Sequence, residues 1–336
     1  MTIKDIARES GYSLGTVSRC LNNQPGVSET AREKILAVTE KYNFRLNTSA
    51  RSLKSRGGTD IAVLVKGMSN MLFASIVEQL QGNIKQKGYP VKVYYFDEDV
   101  NEVEYARQIC TEDRVGGILF LGSNTDYFRE GFSGIQVPCV LVTNSAEDLG
   151  FEKLSSVSTD DREAAMFAIE HLINLGHKNI GILSGDLKAS DPAESRMEGC
   201  KAALQRHGID PDTVPCEETY YSSSDGYHAM QRMLRQHPDI TAVFAMSDVM
   251  AIGAIRAIRD AGKSVPEDIS VIGFDGLELG NYLIPRLTTV RQHAERIALR
   301  SVEILTDNME GMAQSIHEIE PFHLVPGESV RSITVE

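Results

Sequence analysis

Apolar positions in the first forty residues recur at helical spacing in three short blocks. Ile3, Ile6 and Ala7 share one face of a first helix, which Thr2 and Asp5 open as a capping box and Gly11 ends at a residue tolerant of positive φ. Ser13 caps a second helix that turns Val17 and Leu21 inward and leaves Leu14, Gly15, Thr16 and Ser18 on an exposed first turn. A third, capped by Ser28 after Gly26, runs through Ala31, Ile35 and Val38 to Tyr42. Two short helices around a tight turn, closed by a third, predict a helix-turn-helix unit too small for an enzyme domain. The competing reading is a helical pair packed only for stability. Against it, the small and polar first turn of the second helix suits a major groove, and Arg19, one turn on, reaches a phosphate or bonds guanine O6 and N7 in bidentate fashion.

From position 61 the pattern changes to short β-branched runs alternating with helical stretches. IAVLV (61–65) precedes a helix at 73–87, and VKVYYF (91–96) precedes one at 103–113; GGILFL and CVLVT follow. A second series begins near Asp160, with a helix at 161–175, NIGIL, a helix at 195–207, ETYY, a helix at 226–237, AVFAM, a helix at 248–261, and ISVIGF. Such alternation predicts an α/β chain with two similar lobes, each a doubly wound parallel sheet. Between head and core, 44–60 reads as a join: Asn47 caps TSARSLK, Leu53 has no apolar neighbour within that segment, and Ser-Arg-Gly-Gly follows as linker chemistry.

Charge separates the two parts. Residues 1–58 hold ten Lys or Arg against five acids, a surplus of +5, so with −13 overall the remainder carries −18. A basic head on an acidic body concentrates phosphate attraction at one end. No apolar run approaches a membrane span and the chain opens on a capped helix, so a cytoplasmic protein is expected. Five cysteines, odd in number, scattered and without CxxC spacing, indicate neither a disulfide framework nor a zinc site. AGKS (261–264) ends like a phosphate-binding loop, but position 257 is Ala257 and the residues before Gly262 are helical; no catalytic motif and no cofactor are expected.

The run from Thr2 to Leu53, with TVSRCLN (16–22), VSETAREKI (27–35) and ARSL (50–53), closely resembles the DNA-binding head of lactose repressor (LacI/GalR) family regulators. The likeness continues through LINLGHKNIGIL (172–183), ISVIGFDG (269–276) and RLTTVRQ (286–292). It implies a helix-turn-helix domain at 1–46, a hinge helix and linker at 47–59, and a periplasmic-binding-protein-like core at 60–336. In that core the chain crosses between lobes near Val157 and Thr289, giving a first lobe of about 60–157 plus 289–318 and a second of 158–288 plus 319–336, with the helix at 295–309 returning to the first lobe. The resemblance also implies a transcription regulator, most simply a repressor, with operator DNA touched by Thr2, Ser13, Leu14, Gly15, Thr16, Ser18, Arg19, Asn22, Asn47, Ser49, Ala50, Leu53 and Lys54. Leu53 would wedge into the minor groove. Leu46 stands where the family commonly has proline. A sugar-transport binding protein shares such a core but lacks a basic helical head.

Carried over residue by residue, the effector site comprises Arg196 and Asp275, the aromatics Tyr221 and Phe73, and Lys66, Asn70, Thr143 and Ser247. Arg196 is expected at a helix N-terminus, as a planar fork for hydroxyl pairs or anions, and Asp275 as an acceptor for sugar hydroxyls or base nitrogens. The competing readings are an Arg196–Asp275 salt bridge and aromatic core packing. Lys66 hints at an anionic ligand; Ser247 and Thr143 stand where relatives carry asparagine and aspartate. The effector class expected is a sugar or sugar derivative, with a nucleobase or phosphorylated metabolite as the alternative. A homodimer is expected, because no leucine heptad follows FHLV (322–325) to pair two dimers.

Overall fold

In a computed structural model of the 336-residue chain, the description covers all residues except 1–2, 14–15, 18–19, 21–26, 42–59, 68–69, 98–99, 113–114, 189, 313 and 335–336. Two compact units emerge, Met1–Arg56 and Gly57–Glu336.

The head contains α1 (Ile3–Ser10) and α2 (Glu29–Lys41), with a further helical segment around Thr16, Val17 and Cys20. Gly11 ends α1 at φ 74°, where any other residue is strained. Ser13 caps as expected: its hydroxyl accepts the Thr16 N–H at 3.2 Å, and Ser28 does the same for Ala31 at 3.4 Å. Ile6, Val17, Cys20 and Ile35 close a small buried core. The expected DNA-contacting residues Thr2, Leu14, Gly15, Ser18, Arg19, Asn22, Asn47, Ser49, Ala50, Leu53 and Lys54 lie outside the described residues.

The core runs β1 (Asp60–Lys66), α3 (Met71–Gln86), β2 (Val91–Phe96), α4 (Glu102–Glu112), β3 (Val115–Leu121), α5 (Thr125–Gly131), β4 (Cys139–Thr143) and β5 (Leu154–Thr159). It continues through α6 (Asp161–Asn174), β6 (Ile180–Ser184), α7 (Asp191–Arg206), β7 (Cys216–Glu218), α8 (Ser223–Gln236), β8 (Ala242–Ala245), α9 (Asp248–Asp260) and β9 (Ser270–Asp275). Last come β10 (Thr288–Gln292), α10 (Ala294–Asp307), β11 (His317–Glu320) and β12 (Phe322–Val325). One sheet has the order β11-β5-β4-β3-β1-β2 and the other β12-β10-β9-β8-β6-β7. Every described pairing is parallel except β10 with β12. Strands such as Ile61–Val65 and Cys139–Thr143 are buried along their length because helices cover both faces.

The chain passes between lobes three times, each time through one residue between the flanking elements: Asp160, His293 and Pro321. The second passage falls beyond the expected Thr289, because β10 is hydrogen-bonded between β9 and β12 through Gln292. Only then does α10 return to the first lobe, where Ile297, Val302 and Leu305 join the core of β1, β3 and α3.

Two other departures matter for the site. The strand expected at 218–221 ends at Glu218, since Ser222 caps α8 and draws Tyr220 and Tyr221 out of the sheet. The helix expected from 195 begins at Asp191, capped by Ser190 with Pro192 in its first turn, so Arg196 stands in the second turn and not at the N-terminus. The pattern analysis does not reach β5 (LSSVST) or α5 (TDYFREG), which carry no marked apolar run.

Helices α8 and α9 pack at backbone distance. A Cβ on Gly253 would lie 2.1 Å from Ser223 O, and one on Gly226 2.6 Å from Met250 O. Gly253→Val is therefore expected to lower stability by about 1–3 kcal/mol through overpacking, read as a lower midpoint in thermal unfolding. An unchanged midpoint would mean that the two helices have room to separate.

Candidate functional site: a cavity between the two lobes

The carboxyl ends of both sheets face a cavity of about 890 Å³, counted to its solvent-open mouth. Doubly wound sheets bind ligands at this end, where loops diverge and helices begin. From the first lobe it is lined by Lys66, Asn70, Phe73, Ser123, Thr143 and Asn144, and from the second by Asp186, Arg196, Tyr220, Tyr221, Asp275 and Gln292, among others. Seven of the eight expected effector residues, all but Ser247, thus share one cavity. Ser247 is fully buried and spends its hydroxyl capping α9 on the Met250 N–H at 3.3 Å.

Each aromatic is seated on a glycine. A Cβ on Gly122 would meet Phe73 Cε2 at 2.6 Å, and a Cβ on Gly185 would meet the Tyr221 ring at 2.6 Å. Both rings therefore approach the backbone more closely than a larger residue at either glycine would permit. Asn70 caps α3 through the Leu72 N–H at 3.0 Å.

Arg196 is 6 % exposed and fully positioned. Its Nε donates to Asp161 Oδ1 at 2.7 Å, Nη1 donates to Met246 O, and the guanidinium lies 3.8 Å over the Phe274 ring. Its ion-pair partner is Asp161 and not Asp275, which sets aside the simple salt-bridge reading of the Arg196–Asp275 pair. Burial raises the Asp161 pKa above the ordinary carboxylate value, with Arg196 opposing that shift.

Asp275 ends β9 at φ 116°, and Thr143 ends β4 at φ 78°; they are the positive-φ non-glycine residues among those described. Backbone strain of this kind concentrates at ligand sites. The Asp275 carboxylate is 3 % exposed; Oδ1 accepts Gln292 Nε2 at 2.9 Å, and Oδ2 has no hydrogen-bond partner among the described residues. The buried Tyr221 hydroxyl has no well-formed one either. An orphaned buried acceptor costs free energy unless a ligand supplies its donor. Burial pushes the Asp275 pKa up to about 7, against the lowering effect of Arg196 and Gln292.

Lys66 is 7 % exposed and already neutralised. Its Nζ meets Glu102 Oε2 at 3.2 Å and lies 4.7 Å from the Tyr127 ring centroid. The other Glu102 oxygen accepts the Asn124 N–H at 3.1 Å. The partner lies 36 residues away in sequence, so the charge balance was not visible at Lys66 itself, and the hint of an anionic ligand loses its basis.

The lobes touch beside the cavity. Asp191, at the start of α7 in the second lobe, accepts at Oδ2 the N–H of Thr125 at 3.0 Å and Asn144 Nδ2 at 3.5 Å, both from the first lobe. Leu277 of the second lobe packs on the first lobe's core. Sequence reasoning missed Asp191, Asn144, Asp186, Tyr220 and Gln292. Gln292 was within reach, as the last residue of RLTTVRQ; the others had no local signal.

Residues 2–47 match the model described as bacterial regulatory proteins, lacI family, and residues 169–330 match the periplasmic binding protein-like domain. The transcriptional regulator MalR of Clostridium butyricum is 36 % identical over 336 residues, covering 99 % of this chain and 100 % of that protein. The chain belongs to the LacI family. Catabolite control protein A of Priestia megaterium is 31 % identical over 95 % of this LacI-family chain and 98 % of its own. Among solved structures, the lac repressor dimer bound to operator and an anti-inducer superposes with TM-score 0.82 at 27 % identity, covering 98 % of this chain and 99 % of that one. The protein is thus a DNA-binding transcriptional regulator with a helix-turn-helix head and a periplasmic-binding-protein-like core. No helix among the described residues is long and apolar enough to cross a membrane.

The raised Asp275 pKa generates a pH prediction. Between pH ~4 and ~7 the folded state holds a proton that the unfolded chain has released, so stability without effector falls as pH rises through this window and levels off above it. Asp275→Asn is expected to make the fall shallower in urea titrations at successive pH values. An unaltered slope would assign the titration to other buried carboxyls.

Proposed function

We propose that this LacI-family regulator is a homodimeric repressor whose operator affinity is set by an uncharged, polyhydroxylated effector, a sugar or sugar derivative, bound between the core lobes. The observation that carries this reading is the charge balance of the cavity. Both buried cations on its wall have carboxylate partners, Lys66 with Glu102 and Arg196 with Asp161, while Asp275 Oδ2 has no well-formed hydrogen bond among the described residues. Such a wall offers directed hydrogen bonds and aromatic faces to hydroxyls and C–H surfaces. Among the described residues lining it, no unpaired positive charge is offered to balance a phosphate. Two heads on one dimer read a pseudopalindromic site and gain avidity over one. Exposed Leu279, Tyr282 and Ile284 mark an apolar surface suited to a subunit contact. The relatives include a ribose operon repressor, and the similar structures include a regulator with bound ribose.

Effector held by residues of both lobes favours their closed arrangement, and linkage then requires operator and effector to alter each other's affinity by the same factor. Asp191 makes hydrogen bonds across the cleft only when the lobes meet. Losing its carboxylate should weaken effector binding roughly tenfold, the equivalent of about 1.4 kcal/mol. Calorimetric titration of Asp191→Ala checks this, and an affinity equal to that of the unmodified protein would remove Asp191 from closure.

A thermal-shift screen of the full chain against neutral sugars, sugar phosphates and nucleobases tests the effector class. Stabilisation by neutral sugars is expected, absent in Arg196→Ala, while that variant still binds operator. Stabilisation by sugar phosphates alone would overturn the reading.

For the head, Arg19→Ala is expected to weaken operator binding by about 1–3 kcal/mol if Arg19 reads a base. Fluorescence anisotropy on operator and random duplexes decides: equal loss on both would make Arg19 a backbone contact.

A further inference from the structure

The loop that follows β3, residues 122–125, is where the first lobe meets Asp191 of the second. Gly122 opens it at φ 77°, so close to the end of β1 that a Cβ there would lie 2.4 Å from Lys66 O. Three elements then grip its backbone in succession. Asn144, just beyond β4, donates through Nδ2 to Ser123 O at 2.7 Å. Glu102 Oε1 accepts the Asn124 N–H at 3.1 Å, and Asp191 Oδ2, across the cleft, accepts the Thr125 N–H at 3.0 Å. Glu102 is 1 % exposed and begins α4, yet Asn101 caps that helix, accepting the Val103 and Glu104 N–H groups at 3.0 and 3.2 Å. The Glu102 carboxylate thus serves other elements: one oxygen holds the loop, and the other meets Lys66 Nζ, on the cavity wall, at 3.2 Å.

We propose that Glu102 is the positioning residue for lobe closure: held by Lys66, it fixes the Asn124 peptide so that the next N–H, that of Thr125, is presented to Asp191. This rests on the closing role given to Asp191 above and is independent of the effector class. Only the φ and ψ of Asn124 separate the two N–H groups, and these stand at −98° and 120°. The Asn124 side chain pins them by accepting the Asp126 N–H at 2.9 Å. With those dihedrals set, anchoring one N–H aims the next. Stability alone does not account for the Lys66–Glu102 pair, because replacing a buried ion pair by apolar groups is often neutral or stabilising. Holding Asn124 is a task that apolar groups cannot take over. Lys66 Nζ carries several N–H donors, so a ligand oxygen that draws on it shares the ammonium that orients Glu102. Filling the cavity and presenting Thr125 to the second lobe are thereby joined through one carboxylate.

The test is residue-resolved hydrogen exchange of the full chain, without effector, on two double variants that both remove the buried charges. Lys66→Met with Glu102→Gln keeps an oxygen that accepts the Asn124 N–H; Lys66→Met with Glu102→Leu does not. In the leucine variant, exchange at Asn124 and Thr125 is expected to quicken about ten-fold or more through local opening, with a thermal midpoint close to that of the glutamine variant. The glutamine variant should hold both amides within a few-fold of the unmodified protein. Asp191→Ala should quicken Thr125 while Asn124 stays protected, and adding it to the leucine variant should bring no further rise at Thr125. Equal exchange in the two double variants, the result of a purely structural ion pair, or a full further rise on adding Asp191→Ala, overturns the proposal while leaving Asp191 in closure. Thr125 exchange unmoved by Asp191→Ala alone overturns both. If the leucine variant loses its melting transition, Lys66→Met with Glu102→Ala takes its place under the same expectations.

Discussion

The buried carboxylate of Asp248 holds together the part of the core on which the cavity depends. Its Oδ1 accepts the Thr289 hydroxyl at 2.6 Å and its Oδ2 accepts the Leu277 N–H at 2.6 Å. The first residue of α9 thus ties the end of β9 to the middle of β10. Immediately before Leu277 the chain makes the turn in which Asp275 and Gly276 both take positive φ. A strained turn persists only where surrounding bonds over-determine it. Here a buried acid supplies them, at the cost of a pKa raised well above normal by burial and by the neighbouring Asp275. Even the space for that acid is reserved, since a Cβ on Gly273 would lie 2.2 Å from Asp248 Oδ1.

The same economy governs Arg196. A guanidinium buried among apolar groups is expensive unless paired, and the second lobe provides Asp161, the Met246 carbonyl and the Phe274 face before any ligand arrives. Its orientation is therefore fixed in advance, which lowers the ordering cost of binding. On the first lobe Lys66 and Glu102 play the corresponding part, with Asn124 drawn in through its backbone N–H. Both buried cations at the wall are thus anchored from behind by carboxylates that do not line the cavity.

Periodicity alone located most of the strands and helices that carry the site, though not β10, because buried parallel strands and amphipathic helices write their period into neighbouring residues. Helix ends were less legible. Asp191 and Pro192 begin α7, and Ser222 begins α8, yet a polar run before a helix reads equally as a loop or as a first turn. Arg196, Asp275, Phe73 and Tyr221 were named through family motifs, and the structure brings all four to the cavity wall. Ser247, named on the same grounds, is not among the lining residues and caps α9 instead. The pairing of Lys66 with Glu102 and the reach of Asp191 to Thr125 are long-range contacts between elements; no local pattern encodes them.

The three one-residue passages between the lobes act together as a mechanical bearing. A single long connection would let one lobe tilt, slide or twist against the other; three very short ones, at Asp160, His293 and Pro321, leave rotation about a common axis as the soft motion. Gln292 stands immediately before the middle passage while gripping Asp275. The carboxylate at the cavity wall is thus bonded to the last residue before the chain changes lobes.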